Sequence, residues 1–169
     1  MNNKNVIEKV KKAIDKYGTG SGTAAMSGGM STLHKKIEKR TAKIAGKESS
    51  VLFSTGYTAN LGAISSLVGK NGLLLVDREA HRSIFDGCKL SDSKYFPFKH
   101  NDVRDLESSL ESFSGEFENV FVFVDAAYSM SGEFAPLNEI VELKKKHKFY
   151  LFVDEAHSFG IYGENGSGY

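Results

Sequence analysis

Three apolar runs in this 169-residue chain each end on an aspartate. They are Leu73-Leu74-Leu75-Val76 before Asp77, Val120-Phe121-Val122-Phe123-Val124 before Asp125, and Phe149-Tyr150-Leu151-Phe152-Val153 before Asp154. Histidines follow two of them: His81 lies four residues after Asp77 and His157 three after Asp154. A carboxylate beside an imidazole can hold a cationic or aromatic group, move a proton, or ligate a metal. If the runs are parallel strands, their carboxyl ends face one crevice, which is where ligands of open α/β sheets bind. Each aspartate could equally cap the following helix or open a turn. Three together, each followed by polar, histidine-bearing or glycine-containing sequence, favour a shared site.

Ser54-Thr55-Gly56-Tyr57 lies between the short apolar run Val51-Leu52-Phe53, read as a strand, and a helix carrying Leu61, Ile64 and Leu67. Glycine there lets backbone approach a ligand, and a helix start offers free N–H groups to an anion such as phosphate. Many strand-to-helix turns look the same and bind nothing. Asp154-Glu155-Ala156-His157 also resembles the end of a Walker B strand, which would need a G-x-x-x-x-G-K-[ST] loop. The Gly-Lys pairs are Gly46-Lys47-Glu48 and Gly69-Lys70-Asn71, and neither fits. Gly18-Thr19-Gly20-Ser21-Gly22 mimics a dinucleotide fingerprint but follows a helix instead of a strand. No HExxH or other metal-ligand spacing appears, and the lone Cys88 stands apart from the histidines, so no metal is expected.

The elements that must position these residues follow from the switching hydrophobic period. Val6, Ile7, Val10, Ala13, Ile14 and Tyr17 share a helical face that Gly18 ends. Residues 18–30 read as a loop, and Leu33, Ile37, Ile44 and Ala45 carry a helix stopping at Gly46. Thereafter strands and helices alternate: a helix through Ile84, a strand near Tyr95–Phe98, a helix with Val103, Leu106, Leu110 and Phe113, and a helix from Pro136 with Leu137, Ile140 and Leu143. Strands that are continuously apolar predict a mostly parallel sheet buried on both faces, in a three-layer α/β/α domain. Lys144-Lys145-Lys146 is expected on a solvated helix face.

A net charge of +1 gives no reason to expect nucleic acid or anionic membrane as a partner. No apolar run approaches a membrane span, and the first residues do not form a signal peptide. One cysteine suits a reducing compartment, so a cytoplasmic location is expected.

Taken in order, the motifs resemble the α-oxoamine synthase family of pyridoxal-phosphate enzymes, within fold type I (aminotransferase class I/II). The resemblance runs from about Tyr17 to the end of the chain. It rests on Tyr17-Gly18-Thr19-Gly20, His34 with Ile37-Glu38, Phe53 through Asn60, Asp77 through Ile84 with Gly87, and His100-Asn101-Asp102. It continues with Tyr128-Ser129-Met130-Ser131-Gly132, Val153 through Ser158, and the glycines at 160, 163, 166 and 168.

The resemblance implies roles. Asp154 pairs with the pyridine nitrogen of pyridoxal 5'-phosphate and keeps it protonated. His81 stacks on the ring, while Ser129 and His157 lie near its phenolic oxygen; His157 also assists proton transfer or polarises the acyl thioester. Thr55, Gly56 and Tyr57 help hold the phosphate, with Asn60 and Asp125 as supports behind them. The implied reaction condenses an amino acid with an acyl-CoA-type thioester, in a homodimer. Ala25, Ser131 and Ser167 stand where the family commonly has Arg, Asp and Arg, and Asp125 replaces a frequent Glu, so the individual substrates do not transfer.

The family's Schiff-base lysine belongs to a Ser/Thr-x-x-Lys segment on a later strand. The chain is therefore expected to be an incomplete large domain, inactive alone: residues 1–30 form an N-terminal helix and Gly-rich loop, residues 31–169 the front of the cofactor-binding domain, and the small C-terminal domain is absent. The alternatives are a non-catalytic partner subunit on the same fold and an aminotransferase-type enzyme.

Overall fold

A computed structural model describes residues 2–169, which divide into two compact units. The first comprises residues 2–43 and 47–52. Helix α1 (Lys4–Tyr17) starts at Asn3, whose side chain accepts from the backbone N–H of Asn5 at 3.0 Å. It ends at Gly18, which adopts φ 78° and returns its N–H to the carbonyl of Ile14. A short 3₁₀ turn spans Ala25–Ser27, and α2 covers Thr32–Ile44. The apolar face of α1 is present as expected, but the helix buries no residue. Val51-Leu52-Phe53 is not a strand. Its residues are exposed, and within the first unit the N–H of Leu52 and the hydroxyl of Ser50 go to Glu38 instead of to a neighbouring strand. A three-residue run with no partner has no ladder to hold it extended.

The second unit, residues 44–46 and 53–169, is built on a four-stranded parallel sheet of order β2-β1-β3-β4. The strands are β1 (Gly72–Asp77), β2 (Lys94–Phe98), β3 (Asn119–Asp125) and β4 (Tyr150–Asp154). Helices α3 (Gly56–Leu67), α4 (Arg82–Leu90), α5 (Val103–Ser112) and α6 (Leu137–Leu143) supply the outer layers. Alternation along β1 explains the layering. Leu73 and Leu75 pack with Leu106, Leu110, Ile140 and Leu143 of α5 and α6. Leu74 and Val76 pack with Ile64, Ile84 and Cys88 of α3 and α4. Each of these fully buried aliphatic side chains contributes roughly 2 kcal/mol of burial. The three-layer α/β/α expectation holds.

Burial on both faces holds for β1 and for the last residues of β3, but not for the rims. β2 and β4 are edge strands and leave residues such as Phe96 and Tyr150 exposed. Pro97 is tolerated because β2 is an edge. Two smaller expectations shift. Pro136 caps α6 from outside its first turn, and Lys144–Lys146 occupy the turn after α6, where its helical face has already ended.

Candidate functional site

Parallel register fixes the first feature of the site, because Asp125 and Asp154 are direct partners at the ends of β3 and β4. The two carboxylates are held differently. Asp125 is buried, and its Oδ1 accepts the backbone N–H of His81 at 3.2 Å. Asp154 is half-buried; Oδ1 accepts the N–H of Ala156 at 2.9 Å and Oδ2 accepts the side-chain amide of Asn60 at 2.7 Å. Among the described residues no lysine or arginine pairs with either carboxylate. Burial is the main reason the Asp125 carboxyl is pushed up to about 6; the N–H of His81 opposes the shift, and the charge of Asp154 adds to it.

Asn60, buried on α3, links the two ends of the site. Its amide donates to Asp154 and also to the hydroxyl of the fully buried Ser83, at 2.8 Å. Ser83 then meets His81 Nδ1 at 2.7 Å. The backbone N–H of Ser83 also donates to Nδ1, at 3.3 Å. A nitrogen that accepts an N–H carries no proton, so in the neutral ring the proton sits on Nε2. His81 caps α4 through this nitrogen; the residue is exposed, and Nε2 has no partner among the described residues. A continuous chain, Asp154–Asn60–Ser83–His81, therefore sets carboxylate and imidazole relative to one another.

The start of α3 supplies donors. Thr55 and Thr58 form a capping box, in which the N–H of Thr58 donates to Thr55 Oγ1 at 3.0 Å. The N–H of Ala59 reaches the carbonyl of Thr55 at 3.0 Å. Of the first four helical N–H groups, those of Gly56 and Tyr57 have no acceptor among the described residues. Both point out at the positive end of the helix dipole. The ring of Tyr57 stands edge-on to His81, with centroids 6.2 Å apart, and its hydroxyl donates to Asp86. That hydrogen bond raises the Tyr57 pKa.

Of the sequence-predicted residues, Asn60, His81, Asp125 and Asp154 are joined through hydrogen bonds or strand register. Thr55, Gly56 and Tyr57 join through α3 and the Tyr57–His81 contact. Ser129 and His157 are exposed on the loops after β3 and β4, and no hydrogen bond ties either side chain to the others. Asp77 does not open into the crevice. It is 1% exposed and binds His100 and the N–H groups of Glu79 and Asn101. Sequence reasoning missed Ser83 as the bridge and gave His100 no role. It also passed over Glu155, which accepts from the hydroxyl of Ser158 and from the N–H of Tyr169, closing the glycine-rich loop. All three fall within motifs of the family resemblance, but nothing in those motifs told which of their residues meet. Glu107, Glu111 and His147 come within metal-ligating reach at the opposite end of the sheet, where Lys146 already neutralises Glu107 at 2.8 Å.

The arrangement offers a carboxylate without a partner cation among the described residues, an exposed imidazole, and two unused backbone donors at a helix start. Those three features suit a flat aromatic ring with a protonated nitrogen at one end and a phosphate at the other. Comparison with known proteins points the same way. Residues 1–167 match the aminotransferase class I and II family. The chain is 40% identical over 163 residues to a serine palmitoyltransferase of Bacteriovorax stolpii, covering 96% of this chain and 39% of that protein. It is 40% identical over 157 residues to an 8-amino-7-oxononanoate synthase of Symbiobacterium thermophilum, covering 93% and 40%. The fold matches a serine palmitoyltransferase from S. paucimobilis with bound PLP–myriocin aldimine at a TM-score of 0.93 and 39% identity, over 98% of this chain and 42% of that one. The chain thus spans about two-fifths of the length of these relatives.

Proposed function

The chain belongs to the aminotransferase class I and II family, and from that premise we propose that it grips pyridoxal 5'-phosphate in an enzyme condensing an amino acid with an acyl thioester. The observation that carries the proposal is the Asp154–Asn60–Ser83–His81 chain, with the free N–H groups of Gly56 and Tyr57 beside it. The names of the relatives, serine palmitoyltransferase and 8-amino-7-oxononanoate synthase, support the α-oxoamine type of reaction.

In this reading Asp154 would accept from the ring N–H and supply its countercharge, with the carboxylate held by the Asn60 amide. His81, held by Ser83, would pack on the ring. The N–H groups of Gly56 and Tyr57 take the phosphate. Ser129 and His157 approach from the loops after β3 and β4, where the exposed imidazole of His157 can take or return a proton. The cofactor supplies an electron sink for negative charge at the amino acid Cα. We infer that the covalent lysine comes from outside these residues, since Lys144–Lys146 lie at the opposite end of β4 from Asp154.

The test is a titration of the natural-length protein with pyridoxal 5'-phosphate, followed by absorbance, and then an assay of thiol release from acyl-CoA with candidate amino acids. Saturable binding and amino-acid-dependent thiol release are expected. Cofactor binding with amino-group exchange but no thioester consumption would replace condensation by transamination.

A further inference from the structure

Beneath the site, His100 has carboxylates at both ring nitrogens. Nδ1 lies 2.9 Å from Asp77 Oδ1, at the end of β1. Nε2 lies 3.1 Å from Glu133 Oε2 and 3.7 Å from Glu79 Oε2. The ring is 16% exposed and stands edge-on against Tyr128, with centroids 4.4 Å apart. A neutral imidazole has one N–H and can satisfy one of these flanks; only the imidazolium donates to both. Lys99, its neighbour in sequence, is turned toward Asp105 at 3.5 Å. His100 is thus the counterion for a group of three carboxylates. Burial opposes its charged form, and Asp77, Glu133 and Glu79 overcome that and raise its pKa.

Each carboxylate belongs to a segment that carries a residue of the proposed site. Asp77 accepts the N–H of Glu79 at 2.8 Å, and its carbonyl accepts that of Ala80 at 3.0 Å, which shapes the turn delivering His81. Glu133 and Tyr128 close the turn that presents Ser129. The N–H of Tyr128 donates to the Glu133 carbonyl at 2.9 Å, and that of Gly132 to the Tyr128 carbonyl at 2.9 Å. His100 touches a residue at the base of each.

We propose that His100 is a positioning residue: as an imidazolium it ties the turn after β1 to the turn after β3, and so holds His81 and Ser129 in register without touching the cofactor. The link to the cofactor rests on the function proposed above; the tie between the two turns does not. Protonated His100 stabilises the pair of turns below the free histidine pKa, and this stabilisation is lost as pH rises through the raised one.

The experiment compares natural-length wild type with His100→Gln, which keeps one donor but cannot become a cation. Hydrogen exchange is followed in residues 78–83 and 126–134, with the end of β4 as internal reference. In the variant both segments exchange about tenfold faster at neutral pH while β4 is unchanged, and cofactor affinity falls about tenfold. Wild type shows the same loosening on raising pH through the His100 titration, whereas the variant is flat over that range. Unchanged exchange in both segments overturns the proposal, as does equal loosening across the whole sheet. If His100→Gln does not fold, the wild-type pH series decides alone: a flat series overturns it. If wild type binds no cofactor, the functional reading fails while the exchange result still judges the tie.

Discussion

Asp77 and Asp154 end similar apolar strands, and each accepts the N–H two residues on, at 2.8 Å from Glu79 and 2.9 Å from Ala156. Locally they are the same turn. They differ in what reaches them from elsewhere in the chain. β1 is central, and the loop after β2 folds over its end, so Asp77 receives the N–H of Asn101 and the ring of His100 and is sealed. β4 is an edge strand, and Asp154 receives one neutral amide from α3 and, among the described residues, no side-chain cation. A carboxylate whose charge is already balanced is structural. One left unbalanced at the open end of a sheet is available to a ligand.

The contrast predicts opposite phenotypes, and the largest effect falls on Asp77. Asp77→Ala strands two backbone N–H groups and a buried imidazole, and should cost about 3–5 kcal/mol of unfolding free energy. Denaturant unfolding checks it, and a loss below 1 kcal/mol would mean that the sealed end carries little of the fold. Asp154→Asn should do the reverse. It keeps a similar shape at a half-exposed position, so the stability of the cofactor-free protein should change by less than about 0.5 kcal/mol. Cofactor affinity should fall roughly 10- to 100-fold, the value of a charge-assisted hydrogen bond. Equal loss of stability in the two variants would erase the distinction.

Asn60 sharpens the comparison at a smaller scale. Asn60→Ala removes donors from Asp154 and from Ser83 together, so both ring-facing groups lose orientation. Cofactor affinity should drop about tenfold, as expected for a net hydrogen-bond value near 1 kcal/mol. Asp154→Asn combined with Asn60→Ala should weaken binding by less than the product of the single effects, because both act through one carboxylate. A double-mutant cycle on the natural-length protein measures the coupling.

The parallel sheet and its helices were legible because the apolar period switches cleanly and three of the four strands stop at an aspartate. The division among those aspartates was not. The sequence around Asp77 offers a histidine four residues away, His81, yet the imidazole that seals the carboxylate is His100, contributed by the next strand's loop. Ser83 was invisible for the same reason, since its partners Asn60 and His81 meet only when α3 packs on α4. Val51–Phe53 was misread because an apolar triplet carries the composition of a strand but no information about a neighbour. Periodicity reports which face is buried, whereas charge compensation depends on contacts distant in sequence.

Asp125 lies between the two extremes. It is buried like Asp77 but lacks a histidine counterion, and burial with the nearby charge of Asp154 raises its carboxyl to about 6. The unfolded chain titrates near 4. With the folded value raised, the stabilising contribution is complete below about pH 4 and is lost as pH rises through about 6. Above that pH a buried, ionised carboxylate sits next to Asp154, at a cost of about 2–3 kcal/mol. Asp125→Asn is neutral throughout, so its stability relative to wild type should climb by that amount between pH 4 and 7 in the cofactor-free protein. Saturating cofactor should flatten the difference, because a ring cation at Asp154 lowers the charge that Asp125 faces. Denaturant unfolding at fixed protein concentration across that range reads both curves. A difference that stays constant with pH would show that Asp125 remains ionised, with its charge balanced in the way that Asp77 is.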